Sequence, residues 1–552
     1  MKDVSFGPFT AGMNNKAADY ALPKDQYGRQ VACRDALNVD FMDNGNFRTR
    51  PGRTIVVGYS NAHSLWGDNF RTLFVRDSVL YSVTSFSPYT EVIVKVLTVN
   101  DKMSYLAFNG EVWLSNGTDF GRLSVANVWS DHAMPTPTSL SLASDVGGLA
   151  AGIYTVAITY SKLDGEESGA KEASIELTTA GSITATLPAG SGGATHINIY
   201  LTVENGGIPL YKTQVAVGTA NYSITTPATG RALKSRYLKP LPAGRLAYLN
   251  GRLLSFKEKV LSFSDPFNLG LHDPVAGYIT FTKNISIVAP NQNGVYVAAD
   301  KTYWISGRDL AVPEQILDTL PYGAITGSEF YHPSTTDVGW YSEMGLVIGT
   351  AKGEAKAVQE SNVAVDTSAS ATSLLREVDG VSTVITVLHG TTTKPDLSLT
   401  LGVTQAYSVN LTTGATSRYS GVDFNSMTLG HDGDCYGMRS DGLYKLTGEL
   451  DGASDIVWSV DIGKQNWGTN YEKRLVNGYT GAASNVAISL IVKGEGGEYT
   501  YPARASSKTI QQQRFDIGRG LKGSWFAMTL TGSGFVELAD FTMPIAVLQR
   551  KI

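Results

Sequence analysis

The sequence contains little cysteine, little charge and no long apolar run. Its two cysteines, Cys33 and Cys435, lie too far apart in sequence to indicate a disulfide framework or a clustered metal site. We therefore predict two structural thiols in a protein made in the cytosol. No stretch approaches the roughly 18 apolar residues of a membrane span, and residues 1–6 lack the apolar core of a signal peptide. We expect no membrane span and no export through a cleaved signal.

The low charge excludes a further class of protein. Charged residues are 17% of the 552 residues and the formal net charge is −5, which excludes a nucleic-acid binder that works through bulk positive charge. The charge is nevertheless uneven, since residues 464–552 hold 11 Lys and Arg against 6 Asp and Glu, whereas residues 142–230 hold 3 against 7. Such asymmetry can steer how the parts of an assembly face each other.

Glycine is abundant, with 58 residues, and Thr, Ser, Val and Tyr are plentiful. This composition is typical of many short strands joined by tight turns. Pairs of short strands around a turn recur at intervals of about 40 residues, which is the pattern of β-propeller blades. Examples lie at 110–117, 245–256 and 434–446. We predict an all-β fold with a β-propeller, and an irregular stack of antiparallel sheets is the alternative.

A different β-module interrupts this pattern between Pro135 and Pro242. Pro-x-Pro segments at both ends indicate stiff, extended linkers. Runs of strand-forming residues at 151–160 and 196–203, the second followed by an Asn-Gly-Gly turn, are typical of a small β-sandwich. We predict a fibronectin or immunoglobulin-like module inserted into the propeller.

The strands become longer after residue 451, which indicates a separate C-terminal β-domain. In residues 1–25 we expect an extended arm that is ordered only against another surface. A short helix is expected at 26–38, where several apolar residues share one face. The predicted segments are 1–53 (N-terminal arm and platform segment), 54–134 (first part of the propeller), 135–242 (inserted sandwich), 243–450 (remainder of the propeller) and 451–552 (C-terminal β-domain).

No pattern of catalytic or metal-binding residues rises above chance. The G-x-G-x-x-G spacing at 518–523 precedes a strand-like run, which favours a tight turn over a dinucleotide site. Residues 459–467 approach the S-x-D-x-G-x-x-W box of sialidase propellers, but Trp467 comes one residue too late. The seven histidines show no metal-ligand spacing. We predict that the chain is not an enzyme and uses no cofactor or metal.

Three groups of segments occur in one order over nearly the whole chain. They are 6–14 with 32–40 and 50–53, then 154–167 and 197–207 with 250–254 and 261–266, and finally 473–475, 518–523 and 539–541. In this order they resemble the tail hub, or nozzle, proteins of short-tailed bacteriophages. Each segment alone is short, and the order carries the resemblance.

The resemblance implies a structural protein of the virion tail, assembled in the host cytoplasm as a homohexameric ring below the portal and its adaptor. Viral DNA would pass through the ring without sequence readout, and tail fibre, spike or plug proteins would attach to it. A platform built from both chain ends would face the adaptor. The residues that we assign to docking are Phe6, Pro8, Phe9, Arg53, Lys473, Arg474, Arg519 and Lys522.

Two other classes of function stay open. A glycan-cleaving propeller of a spike or bacterial surface would need two carboxylates about 5 to 9.5 Å apart in a cleft. A glycan-binding or adhesion protein would need an exposed aromatic platform.

Residues 135–242 should fold as an isolated fragment. A domain of about 100 residues can bury a sufficient core, so we expect cooperative thermal unfolding of the fragment by circular dichroism. A spectrum of a disordered chain would show that the boundaries or the assigned module are wrong.

Overall fold

The computed structural model describes residues 2–332, 335–390, 405–518 and 520–551. Short strands, most of them antiparallel, dominate these ranges, with a single 3-10 turn at Asp19–Ala21, so the predicted all-β class is confirmed. No helix in the described ranges is long and apolar enough to cross a membrane. The chain divides into a terminal unit (Met1–Ile93, Tyr296–Tyr303 and Asp318–Ile552) and a middle unit (Val94–Val295 and Trp304–Leu317).

The N-terminal segment consists of strands. They are β1 (Lys2–Phe6), β2 (Gly12–Met13), β3 (Ala32–Cys33), β4 (Asp35–Leu37), β5 (Val39–Phe41) and β6 (Phe47–Thr49). The helix expected at 26–38 is wrong, because β3 and β4 occupy its second half. Strand β4 is paired along both edges, and such pairing outweighs a weak local helical pattern.

The next strands form two antiparallel sheets of four strands, ordered β11-β10-β9-β8 and β12-β13-β14-β15. Their strands are β8 (Ala62–Gly67), β9 (Thr72–Arg76), β10 (Val79–Phe86), β11 (Tyr89–Val96), β12 (Ser104–Phe108), β13 (Glu111–Ser115), β14 (Phe120–Leu123) and β15 (Trp129–Asp131). Strand β7 (Thr54–Gly58), which precedes them, belongs to a different sheet. In each sheet every strand pairs with its neighbour in sequence, which is the layout of a propeller blade.

The insert forms two antiparallel sheets, ordered β16-β19-β22 and β18-β17-β20-β21. Its strands are β16 (Ser141–Leu149), β17 (Gly152–Ser161), β18 (Lys171–Leu177), β19 (Gly181–Thr186), β20 (His196–Leu201), β21 (Leu210–Ala216) and β22 (Asn221–Ile224). Buried residues of both sheets, such as Ile183 and Ile199, share one apolar core, as expected for a β-sandwich. Met134 also packs in this core, and Arg122 of the preceding blade pairs with Glu166 of the insert at 2.7 Å.

After the insert the four-stranded pattern resumes. The strands are β23 (Lys239–Pro240), β24 (Arg245–Leu249), β25 (Arg252–Lys257), β26 (Val260–Phe263), β27 (Leu271–His272), β28 (Tyr278–Thr280), β29 (Ile287–Asn291), β30 (Gly294–Ala298), β31 (Thr302–Ser306), β32 (Gln315–Leu320), β33 (Phe330–Tyr331), β34 (Val338–Ser342), β35 (Gly345–Gly349) and β36 (Ala355–Ala357). They form the sheets β24-β25-β26-β28, β29-β30-β31-β32 and β33-β34-β35-β36, while β23 pairs with β27.

The last blade is completed by a strand from before the first one. The strands that follow β36 are β37 (Ser370–Val378), β38 (Val381–His389), β39 (Gln405–Asn410), β40 (Thr416–Tyr419), β41 (Ser426–Leu429), β42 (Cys435–Arg439), β43 (Gly442–Lys445), β44 (Leu450–Asp451) and β45 (Ser454–Asp455). Strand β7 pairs with β43 to give the sheet β41-β42-β43-β7, and β41 contacts β8 of the first blade. This closure is typical of propellers, so the propeller prediction is confirmed.

The C-terminal domain contributes β46 (Val457–Gln465), β47 (Tyr471–Leu475), β48 (Asn477–Ser484), β49 (Ser489–Gly494), β50 (Gly497–Pro502), β51 (Gln511–Asp516), β52 (Lys522–Gly523), β53 (Phe526–Ser533) and β54 (Val536–Lys551). One nine-stranded sheet runs β37-β38-β39-β40-β4-β46-β53-β49-β50 and so joins a blade to this domain through the N-terminal strand β4. The apolar core beneath it includes Phe47, whose ring lies 6.0 Å from that of Trp458.

A buried polar network fixes the N-terminal segment against the blade of β37 to β40. The Asp40 carboxylate accepts hydrogen bonds from Arg376 at 2.7 Å, from Ser408 at 2.8 Å and from the Tyr419 hydroxyl. Asp40 and Arg376 are 4% and 6% exposed, so little water reaches the pair. Burial by itself would lower the pKa of Arg376, but the attraction of Asp40 outweighs it and raises that pKa.

Asp40→Ala should therefore destabilise the terminal unit. Removing one partner of a buried pair leaves an uncompensated charge, at a cost of about 3 to 5 kcal/mol. Thermal unfolding of the full chain, followed by tryptophan fluorescence, should show the loss. The matched control is Arg48→Ala, which breaks a pair with the 66% exposed Asp379 and should cost at most about 1 kcal/mol. Equal effects of the two changes would contradict this account of the network.

Candidate docking surface of the platform

The two chain ends meet in one eight-stranded sheet, here called the platform sheet, made of β1, β5, β6, β47, β48, β51, β52 and β54. Strand β54 pairs with four of the others, among them β1 from the opposite chain end. Successive side chains of a strand point to opposite faces, so the sheet has an inner face toward the core and an outer face. The register between strands decides which of the predicted docking residues lies on which face.

Aromatic rings of the N-terminal segment cover the inner face. Phe6 lies opposite Phe541 in the β1 and β54 register, and their rings stack with centroids 5.7 Å apart. Phe9 is fully buried, with its ring 5.8 Å from that of Phe47. Both rings belong to the core that also contains Trp458. The platform is thus held together by contacts between the first and the last residues of the chain.

The prediction that Phe6 and Phe9 are free anchors on an arm is therefore wrong. The arm is ordered by its own chain, because β1 finds a pairing partner in β54 and its rings find space in the core. Pro8 is half-buried and packs close to Gly45, where an added Cβ would lie 2.5 Å from the Pro8 Cβ. Gly45 also has a positive φ of 82°, which other residues rarely adopt.

Lys473 is also an internal residue rather than a docking residue. Its side chain is 0% exposed, and its Nζ donates hydrogen bonds to the carbonyl oxygens of Thr469 at 2.5 Å, Tyr471 at 2.8 Å and Ser524 at 2.8 Å. Removal from water lowers the pKa of this amine. Three carbonyl acceptors replace its hydration, so Lys473 ties the loop before β47 to the loop before β53.

Arg53 has partners within its own chain as well. Its guanidinium lies 3.7 Å from Asp423 and 3.9 Å from Asp451, and 5.9 Å from the centre of the Tyr444 ring. The neighbouring Arg50 binds Asp451 more closely, at 2.6 Å. These contacts join the end of the N-terminal segment to the last blade, so Arg53 is mainly a structural contact.

Arg474 and Lys522 lie on the outer face. Arg474 is opposite Lys522 in the register of β47 and β52, so two positive side chains stand side by side. Lys522 is exposed and forms no ion pair with a described residue. Arg474 is half-buried, and its Nε is shielded from solvent without a hydrogen-bond partner in the described part of the chain. Like charges directly opposite each other are destabilising. Arg519 lies outside the described residues.

The rest of the outer face is polar or small. In the registers of β1, β48, β51 and β54 the side chains that share the face of Arg474 are Asp3, Ser5, Tyr479, Arg514, Thr542, Pro544 and Ala546. Each is at least partly exposed. Arg514 pairs with Asp516 at 2.9 Å, whereas Arg474 and Lys522, which share this face with Asp3, form no ion pair with a described residue.

Sequence reasoning found this pair but not the residues around it. No sequence motif marks Tyr479 or Arg514. They lie on the outer face only because of the register in which β48 pairs with β51. The G-x-G-x-x-G segment beside the pair is a turn, since Leu521 donates a backbone hydrogen bond to Gly518 and strands follow. The prediction of a turn in place of a dinucleotide site is confirmed.

Other candidate chemistry is sparse in the described ranges. No group of three or more His, Cys, Asp or Glu lies close enough to hold a metal ion in the residues that the structure describes. Both cysteines are free thiols, and burial raises the pKa of Cys33 and of Cys435. Both are therefore protonated at neutral pH and poor nucleophiles.

No protein-family model and no curated protein matches this sequence. Among solved structures, the chain is similar to one in the crystal structure of the mitotic checkpoint complex, with 9% identity over 73% of this chain and 95% of that one and a TM-score of 0.32. The WD40 β-propeller domain of Doa1 has 7% identity over 71% and 96%, with a TM-score of 0.25. YCF48 bound to D1 peptide has 12% identity over 67% and 97%, with a TM-score of 0.23. Similarity at this level carries no argument about function.

Phe6→Ala should destabilise the protein even without any partner. Deleting a buried Phe ring costs about 3 to 5 kcal/mol, whereas an exposed ring costs about 0.5 kcal/mol or less. The matched control is Tyr27→Ala, because Tyr27 is 74% exposed in the same segment. Chemical denaturation of the purified full chain distinguishes the two. If Phe6→Ala were as stable as the wild type, the ring would have to be free for a partner after all.

Proposed function

We propose that this chain is a structural component of a short-tailed bacteriophage virion, a tail hub that forms a ring and docks through the outer face of its platform sheet to an adaptor protein above it. The resemblance of the ordered segments to tail hub proteins suggests the assembly. The observation that carries the docking role is the pair Arg474 and Lys522, two positive side chains placed opposite each other, neither of which forms an ion pair with a described residue.

The architecture supports a rigid assembly part. Both chain ends are held in the platform sheet, and β4 joins a blade to the C-terminal domain within a second, nine-stranded sheet. Buried residues of the two sheets share one apolar core, so a force applied at the outer face would be transmitted through packed side chains rather than through a linker. A channel component must keep its shape while DNA passes, and this construction suits that requirement.

The partner group at Arg474 and Lys522 is inferred to be a carboxylate surface of the adaptor. Exposed ion pairs contribute about 0.2 to 1 kcal/mol each and are weakened by salt. Two of them add specificity and speed to docking, while apolar contacts such as Pro544 and Ala546 exclude water. The proposed role is structural rather than catalytic.

Two measurements test this proposal. Negative-stain electron microscopy of the purified protein should show rings, and particles that stay monomeric at every concentration would contradict the hub.

The second test is Arg474→Glu with Lys522→Glu, which should leave folded protein that joins DNA-filled heads several-fold less efficiently at low salt. The control is Lys283→Glu, which reverses an exposed lysine in the middle unit. Joining that is unaffected by the double change would place the dock elsewhere.

A further inference from the structure

The insert has a polar pocket of about 450 Å³ on the outer side of its four-stranded sheet. Across the sheet, Thr159 lies opposite Asn198, and Asn198 lies opposite Gln214, in the registers of β17, β20 and β21. Polar side chains on the solvent side of such a sheet are ordinary, but Thr159 and Asn198 are only 0% and 4% exposed. Asn198 lines a recess together with Lys162 and Arg231, and Thr159 lies beside Asn198 on the neighbouring strand.

Glu167 is held in this recess by one of its two oxygens. Oε1 accepts hydrogen bonds from Thr159 Oγ1 at 2.5 Å, Asn198 Nδ2 at 3.0 Å and the Tyr200 hydroxyl at 2.5 Å. Oε2 has a single contact with the described residues, at 3.5 Å from Arg231, whose side chain is 69% exposed. The carboxylate is thus fixed in position while Oε2 keeps capacity to accept further hydrogen bonds.

The side-chain amide of Gln214 provides a second hydrogen-bond acceptor with a fixed orientation, after the Glu167 carboxylate. It is exposed, yet its Nε2 donates to Ser161 Oγ and to Asn198 Oδ1, both at 3.1 Å. These two bonds fix the orientation of the amide. None of the described residues donates to its Oε1, so this oxygen is left for solvent or a ligand.

An aromatic ring lines the pocket beside these polar groups. Tyr211 lies edge-on against Tyr200, with centroids 5.6 Å apart, and packs with the small apolar cluster of Ala157 and Leu233. Its position is therefore set by packing. The pocket combines an apolar surface with two oriented acceptors and an exposed donor, Arg231.

This combination selects a class of ligand. A phosphate needs donors alone and would be repelled by Glu167, while a cation would be repelled by Arg231 and Lys162. An apolar ligand would leave the polar groups of the pocket unpaired, which is costly. A neutral polyol satisfies both kinds of group, because each hydroxyl donates one hydrogen bond and accepts others. Pockets of about 300 to 1,000 Å³ suit small ligands.

We propose that this pocket binds a neutral saccharide unit of a glycan. Gln214 Oε1 and Glu167 Oε2 accept hydrogen bonds from its hydroxyls, Arg231 donates to a ring or hydroxyl oxygen, and Tyr211 contacts its apolar face. This site goes beyond the proposed tail hub and does not rest on it. Binding at this pocket would allow a structural chain to recognise a surface glycan as well.

Saturation-transfer difference NMR on the full chain tests the pocket. The probes are methyl α-glucoside, methyl β-galactoside and N-acetylglucosamine, each alone and then in competition with sodium phosphate. At least one saccharide should bind, and phosphate should not displace it. Gln214→Ala and Arg231→Ala should each weaken that binding about three- to tenfold, since each removes one hydrogen bond to the saccharide. Thermal unfolding of each variant checks that the insert is folded.

The matched control is Gln512→Ala, because Gln512 is an exposed glutamine on a strand of the platform sheet. It should leave saccharide binding unchanged. The proposal is overturned if none of the three saccharides binds, if the pocket variants bind as well as the control, or if phosphate binds in their place. If the protein forms rings but binds no saccharide, the saccharide pocket is wrong and the tail-hub proposal stands. If it binds a saccharide but forms no rings, the tail-hub proposal is wrong and the pocket stands.

Discussion

The architecture depends on one short strand whose two edges are both paired. Strand β4 lies parallel to β40 on one side and antiparallel to β46 on the other. Without it, the blade of β37 to β40 and the C-terminal domain would each present an unpaired edge, and such edges are prone to aberrant pairing. A strand of three residues contributes few hydrogen bonds, so neighbouring side chains must hold it in register. The Arg418 guanidinium does so by binding Asp35 at its first residue.

Buried polar groups make this register specific. Asn38, directly after β4, has a φ of 58° and is 2% exposed, and its amide donates to Ser420 and Val457, both at 2.7 Å. Its carbonyl oxygen accepts a hydrogen bond from Arg50 at 2.9 Å. A shift by one residue would leave these groups buried without partners, at about 1 to 3 kcal/mol for each. The N-terminal segment is therefore part of the fold and not an appendage.

Both proposed binding surfaces consist of polar side chains on the outer face of a sheet whose inner face packs against the core. On β47, the Lys473 amine donates to carbonyl groups inside the protein, while its neighbour Arg474 lies on the outer face opposite Lys522. In the insert, the inner face of β17 and β20 packs the core, and Asn198 on the outer face of β20 bonds both Glu167 and Gln214 and so fixes their orientations. In each case the rigid inner face determines the geometry of the outer one, as a preorganised site requires.

The sequence by itself determined the class of fold, because glycine-rich turns and alternating strand formers act locally, and it located the inserted sandwich for the same reason. The excess of positive charge near the C-terminal end pointed to Lys522, whereas Arg474 came only from the resemblance to tail hub proteins. Only the tertiary structure decided that Phe6, Phe9 and Lys473 face inward, that residues 32–37 are strands, and that Thr159, Asn198 and Gln214 line up across three strands. The physical reason is that strand pairing joins residues hundreds of positions apart. A register shift of one residue exchanges the two faces of a strand, and no local pattern specifies that register.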